Sequence, residues 1–331
     1  MMNCMLFNRL IVLTISICLC LSGMGCSPAA PKEPPGNPTV NAVTLINPIG
    51  PTVIPVIGIS SGNIEGNLDI NVQYWNTLDE AIGLLAGNDV EFAVLPITNG
   101  VNMYASGVDI VLLGVHEWKV FYLLASEDVV FDGWNSLKGK TVYTPTARGQ
   151  TVDVLTRYAL SKENIKPDEE VAFAYAPPQE IVALFKEGKI DYAALPEPFI
   201  SLALASGHGQ VVLDYQDYWS GISGAGKGIP IAGLFVKKDF LNKYPNETRG
   251  IADILAESTT WANQNPETAI QASAEELPLP PAVMQSALRR ITFQYVPAAE
   301  VQAEVISYLQ MMQETYPEGV KEIPDSGFFV K

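Results

Sequence analysis

One stretch of this chain recurs at a fixed distance. Laid over each other without a gap, Glu80–Gly107 and Glu180–Gly207 stand 100 residues apart and agree at eight of 28 positions. The identities are Glu80/Glu180, Leu84/Leu184, Ala93/Ala193, Leu95/Leu195, Pro96/Pro196, Ala105/Ala205, Ser106/Ser206 and Gly107/Gly207. Average composition alone gives about two. Ile82/Val182, Val90/Ile190, Glu91/Asp191 and Phe92/Tyr192 are conservative pairs. Each copy reads as a helix, a tight turn, a short strand ending in Leu-Pro, and a second helix. The repeat predicts two lobes of like design, and the helix–strand–helix unit predicts an α/β fold.

The flanking chain fits that expectation. Val43–Asn47 and Asp69–Tyr74 read as strands, and Gly50-Pro51-Thr52 as a turn into a helix. Thr77–Ala86 reads as a helix capped by Thr77, with Leu78, Ile82 and Leu85 on one face. Alternating strands and helices imply mixed, mostly parallel sheets covered on both sides. Two apolar runs, Lys119–Ser126 and Pro230–Lys237, flank the middle segment and are expected to be crossover strands joining the lobes. Lobe 1 is then 43–126 plus 230–331, and lobe 2 is 127–229. The last 90 or so residues read as mostly helical, over Phe240–Tyr244, Thr248–Asn263, Pro266–Ala274, Pro281–Arg290 and Ala298–Thr315.

Charge and cysteine use narrow the function. The 331 residues carry 20 Lys and Arg against 36 Asp and Glu, a net charge of −16. Such an excess of acid argues against nucleic acid and against an anionic lipid surface as partner, because both need a basic face. Only His116 and His208 are histidines, so a two-histidine zinc motif is not expected. All four cysteines, Cys4, Cys18, Cys20 and Cys26, lie in the first 26 residues. The body therefore has no thiol for a disulfide, a cysteine-held metal or nucleophilic catalysis.

The same 26 residues read as an export signal. Arg9 precedes Leu10–Leu21, an uncharged run of 12 residues. That length suits a signal-peptide core and falls short of the ~20 residues that span a bilayer. Ser22-Gly23-Met24-Gly25-Cys26 then resembles a bacterial lipobox, with Gly23 where a leucine is usual. Residues 1–25 are expected to be removed and Cys26 to carry a diacylglycerol on its sulfur, which places the protein on the outer side of a bacterial cell membrane. Losing Arg9 takes the charge from −16 to −17. Ser27–Pro38 has five prolines in twelve residues, so 26–42 is expected to be an extended tether.

The body resembles the extracytoplasmic solute-binding proteins of ABC importers. The likeness rests on Gly50-Pro51-Thr52, on Leu137-Lys138-Gly139-Lys140-Thr141-Val142 running to Gly149, and on Leu195-Pro196-Glu197-Pro198-Phe199. Gly233–Phe240 and the tail Ile323-Pro324 to Phe328-Phe329 also match. The branch it resembles includes binders of aliphatic sulfonates, taurine, nitrate and thiamine-precursor pyrimidines. The resemblance implies the type II periplasmic-binding-protein fold, a small solute held between two lobes, a partner permease with its ATPase, a monomer, and no cofactor, metal or catalytic residue. A solute sensor on the same fold would share these features. The related pyrimidine synthases depend on a cysteine-rich segment that this chain lacks.

In open α/β sheets ligands lie beyond the carboxyl ends of strands, near helix N-termini. That rule selects Gly50, Pro51 and Thr52; Thr98 and Asn99; the turn Thr146, Arg148, Gly149, Gln150 and Thr151; and Glu197. Arg148 is the fixed cation of the set and is expected to hold an anionic group, with Glu197 taking an amine. Trp118 is expected to stack on a flat ligand, with Tyr143, Trp75 and Trp219 as further aromatic candidates and Trp75 favoured as core. A sulfonate or an aminopyrimidine fits that set best. Gly221–Gly228 imitates a phosphate-binding loop but has Gly228 where a hydroxyl must hold Mg²⁺, so it reads as a flexible loop.

Overall fold

A computed structural model describes residues 40–331 apart from Asn67 and Asn88. The signal segment, Cys26 and nearly all of the tether lie outside the described residues.

The chain opens with β1 (Ala42–Pro48), α1 (Val53–Ser60), β2 (Asp69–Trp75), α2 (Leu78–Ala86), β3 (Phe92–Pro96), α3 (Ile97–Ala105) and β4 (Ile110–Lys119). The middle is β5 (Phe121–Ser126), β6 (Thr141–Pro145), α4 (Thr151–Lys162), β7 (Ala172–Ala176), α5 (Pro178–Lys186), β8 (Tyr192–Pro196), α6 (Phe199–Leu204), β9 (Gly209–Asp214) and α7 (Tyr215–Ser223). It ends with β10 (Ala232–Lys237), α8 (Lys238–Lys243), α9 (Pro245–Gln264), α10 (Pro266–Ala272), α11 (Pro281–Leu288), β11 (Thr292–Pro297) and α12 (Ala298–Thr315).

Two sheets form. The first has the order β11-β4-β10-β3-β1-β2 and the second β7-β6-β8-β5-β9. In the first, β2, β1 and β3 run parallel and β10 adds antiparallel; in the second, β7, β6 and β8 run parallel and β5 adds antiparallel. The 100-residue repeat is thus structural. α2 and β3 map onto α5 and β8 at an offset of 100, and β3 and β8 hold the same place in their sheets.

The sequence placed β5 in lobe 1, and the sheet pairing corrects that. Phe121–Ala125 pairs with β8 in the second sheet, so the chain crosses at Lys119–Phe121 rather than along a strand ending at Ser126. The reason is that two buried strands abut with only Val120 between them, so sequence shows one long apolar run. The return crossing precedes β10. There Ile229 N–H bonds Trp118 O at 3.1 Å and Ile231 N–H bonds Glu117 O at 2.9 Å, tying the crossings side by side.

Helix 2 shows both the strength and the limit of periodicity. Thr77 caps it by accepting from Glu80 N–H at 3.3 Å, as expected. Its buried positions are Ala81 and Leu85, however, while Ile82 is exposed. Leu78, Ala81 and Leu85 are spaced three and four apart, and Ile82 stands one residue, or about 100°, round from that stripe. Among the described residues no helix is long and apolar enough to cross a membrane.

Candidate functional site

A cavity of about 630 Å³ opens between the sheets at the crossings. Ile49, Gly50 and Pro51 line it after β1, Asn76 after β2, and Glu117, Val120, Phe121 and Ile231 at the crossings. From the second sheet come Gln179, Pro196, Glu197, Pro198, Phe199 and Leu202. Glu276–Leu279, between α10 and α11, closes one side. The walls therefore lie past the carboxyl ends of β1, β2 and β8, where α/β sheets hold ligands. Most of the lining is proline, leucine, isoleucine and phenylalanine, which suits the apolar body of an organic ligand.

Gly50, Pro51 and Glu197 are the residues expected from sequence that meet in this cavity. Thr52 is buried beside it and accepts from Asn47 Nδ2 at 3.3 Å. The first N–H groups of α1 are already engaged, since Val53 and Ile54 donate to Gly50 O and Pro51 O at 3.0 and 3.1 Å. Thr98 and Asn99, half-buried at the start of α3, are bonded to each other at 3.5 Å and do not line the cavity.

Glu197 is buried and spent locally. One carboxylate oxygen accepts from Ser201 N–H at 3.0 Å, the other from Ser201 Oγ at 3.0 Å and from Arg290 Nη1 at 3.3 Å. It thereby satisfies a first-turn N–H of α6, whose N-cap position is Pro198. Burial raises its pKa, opposed by Ser201 and Arg290.

The turn Thr146–Thr151 does not reach the cavity. Its backbone is satisfied from within, with Thr146 N–H on Ala176 O, Ala147 N–H on Pro145 O, and Gly149 N–H on Asp153 Oδ2, each at 2.8 Å. Gln150 N–H closes the turn on Ala147 O at 3.4 Å, and Thr151 begins α4. Gly149 sits at φ 88°, and a Cβ there would come within 2.2 Å of the Tyr316 ring, so the glycine is dictated by packing. Arg148 is exposed and ion-paired to Asp168 at 3.1 Å, on a separate hollow of about 450 Å³ with Arg157 and Glu314. Asp168 also takes both terminal nitrogens of Arg157, at 2.7 and 3.0 Å, which lowers its pKa. Arg148 therefore completes a charge network on the flank of lobe 2.

Trp118 is fully buried, and its indole N–H donates to Gln294 O at 2.8 Å. Neighbouring side chains of a strand point to opposite faces, so Glu117 facing the cavity turns Trp118 into the core. Trp75 and Trp219 are core residues as well. Tyr143 is half-buried in β6 and is not in the cavity wall.

Sequence reasoning missed Glu117. It is 4% exposed, its Oε1 is sealed from solvent without a hydrogen-bond partner, and burial pushes its pKa up to about 8. Its neighbour His116, on the same buried strand, has no partner for either ring nitrogen, and burial lowers its pKa to about 4. The available signal was a His-Glu pair inside Ile110–Trp118, where every residue is buried.

Two α/β lobes around such a cleft are the arrangement of the type II periplasmic-binding-protein fold. Residues 77–276 match the NMT1-like family, and the chain belongs to that family. A crystal structure of an ABC transporter from Parabacteroides distasonis is similar at TM-score 0.74 and 25% identity, covering 88% of this chain and 99% of that one. The periplasmic aliphatic sulphonate binding protein SsuA from Escherichia coli is similar at TM-score 0.72 and 20% identity, covering 88% and 92%. The bicarbonate transport ATP-binding protein CmpC of Synechococcus elongatus is 30% identical over 109 residues, 33% of this chain. This chain spans only 15% of that relative's length.

Proposed function

We propose that this protein is the substrate-binding component of an ABC importer, capturing a small solute between its lobes and handing it to a permease with its ATPase. The observation that carries the reading is the cavity walled by both sheets at the two crossings. Closing the lobes about the crossings would enclose a solute there, as hinge closure does in binding proteins. Family membership and the SsuA-like fold support the same role.

The anchoring part of the proposal rests on sequence. Leu10–Leu21 and Cys26 support export and attachment through a lipidated Cys26, with the acidic body facing outward as a monomer on its proline-rich tether. Two experiments test these points. The full-length protein, immobilised on its own membranes, is expected to retain a permease and an ATPase; retention of neither sinks the importer role. Cys26→Ala is expected to lose palmitate labelling and leave the membrane fraction, and unchanged attachment refutes the anchor.

A further inference from the structure

The cavity's polar groups say what its solute must carry. Its lining includes three carboxyl groups, Glu117, Glu197 and Glu276, and no lysine, arginine or histidine. Glu197 is occupied by Ser201 and Arg290, and Arg290, which bonds Glu197, Ser201 and Ser286 through Nη1 alone, is not one of the lining residues. Two carboxyl oxygens remain sealed from solvent without a partner, Glu117 Oε1 and Glu276 Oε2. A buried acceptor left unmatched is costly, and such groups are ordinarily satisfied. Glu117 also belongs to the cavity wall, so a solute donor seated there would satisfy its carboxyl group once that oxygen turns to the cavity.

Building on the reading of this cavity as the solute site, we propose that it selects a small organic base. A nitrogen head bearing N–H donors sits on Glu117, and an apolar body packs against Pro51, Phe121, Phe199 and Leu277. The head satisfies Glu117 in either protonation state. A carboxylate accepts from a protonated amine or amidine; a carboxylic acid both donates to a ring nitrogen and accepts from an adjoining amino group. An oxyanion such as nitrate or a sulfonate can use only a proton on Glu117. It leaves the remaining oxygen unmatched and meets no cation in the wall. Glu276 also lines the cavity and adds a second carboxyl group to its wall.

The test is calorimetric titration of the full-length protein in detergent with three bases, 4-amino-5-hydroxymethyl-2-methylpyrimidine, benzamidine and phenethylamine, and three oxyanions, ethanesulfonate, nitrate and bicarbonate. At least one base is expected to bind ten times more tightly than any oxyanion, and Glu117→Leu, which removes both the acceptor and the donor, to weaken it tenfold or more. The Gly50→Trp variant, which fills the cavity from an open position, is expected to abolish that binding. Three results overturn the proposal: no base binding at millimolar concentration, an oxyanion as the preferred ligand, or a bound base indifferent to Glu117→Leu. An oxyanion whose binding is lost in Gly50→Trp would overturn the base and keep the cavity as the solute site. A base whose binding survives Gly50→Trp would overturn the cavity itself.

Discussion

Gln216 is the residue on which the first crossing depends. Its side chain is 1% exposed, and Oε1 accepts from Val120 N–H at 3.0 Å and from Phe121 N–H at 2.8 Å. Nε2 donates to Phe121 O and to Asp214 Oδ1, each at 2.8 Å. One amide thus serves the backbone where the chain leaves the first sheet and the strand ladder is interrupted. Gln216→Leu keeps the volume close and removes all four bonds. Asp214 stays satisfied by backbone N–H groups of Gln216 and Asp217 and by Lys119. Val120 and Phe121 are left with two buried, unmatched N–H groups. At about 1–3 kcal/mol for each orphaned group, the variant should lose roughly 2–6 kcal/mol. Urea unfolding followed by circular dichroism reads this directly, at an unchanged m-value if the denatured ensemble is unaffected. A loss under about 1 kcal/mol would refute the reasoning, because it would mean that water or a backbone shift replaces the amide at no cost.

Two buried groups set a pH dependence. Glu117 has a folded pKa of about 8 against an ordinary 4.5, so the folded protein keeps a proton that the unfolded chain has lost, and stability falls as pH rises through that window. His116 has a folded pKa of about 4 against 6.5, so the unfolded chain binds the extra proton and stability falls as pH drops from 6.5 to 4. The two slopes oppose each other between 4.5 and 6.5, and above 6.5 only Glu117 remains. Stability is expected to fall by roughly 2 kcal/mol from pH 6.5 to 8, and Glu117→Gln to abolish that fall in urea titrations; an unchanged slope would contradict the assignment. Arg148→Ala is expected to leave solute affinity within twofold and to cost at most about 1 kcal/mol, because its ion pair with Asp168 is exposed and lies away from the cavity. A tenfold loss of affinity in titration would restore it to the site.

The fold was legible where local chemistry decides it. The Thr77 cap and the Leu-Pro strand ends of both repeats follow from local chemistry and spacing and stand where sequence put them. The tail helices were read to within a few residues, but β11, in the gap between the last two, was not read as a strand. That strand is six residues long, and its buried positions, Phe293 and Val296, do not alternate strictly. The site was harder to read, because facing a cavity is a property of the whole fold. Gly50, Pro51 and Glu197, chosen by the rule that ligands lie past strand ends, line the cavity. Arg148 obeyed the same rule yet found a partner 20 residues along, in Asp168, which no spacing announces. Trp118 and Glu117 were exchanged. The aromatic looked like the ligand contact and the acid passed unnoticed, and only the register of β4 tells which of two adjacent side chains faces the cleft.

That the cavity between the lobes holds the solute is tested most directly by native mass spectrometry of the protein isolated, without denaturation, from the cells that make it. A Cβ at Gly50 has no heavy atom within 4 Å, and the position lines the cavity, so Gly50→Trp should fold normally while occupying the solute's space. The expected result is a small-molecule adduct on the wild type and none on Gly50→Trp. The same adduct at equal occupancy on both forms would mean that the solute binds elsewhere.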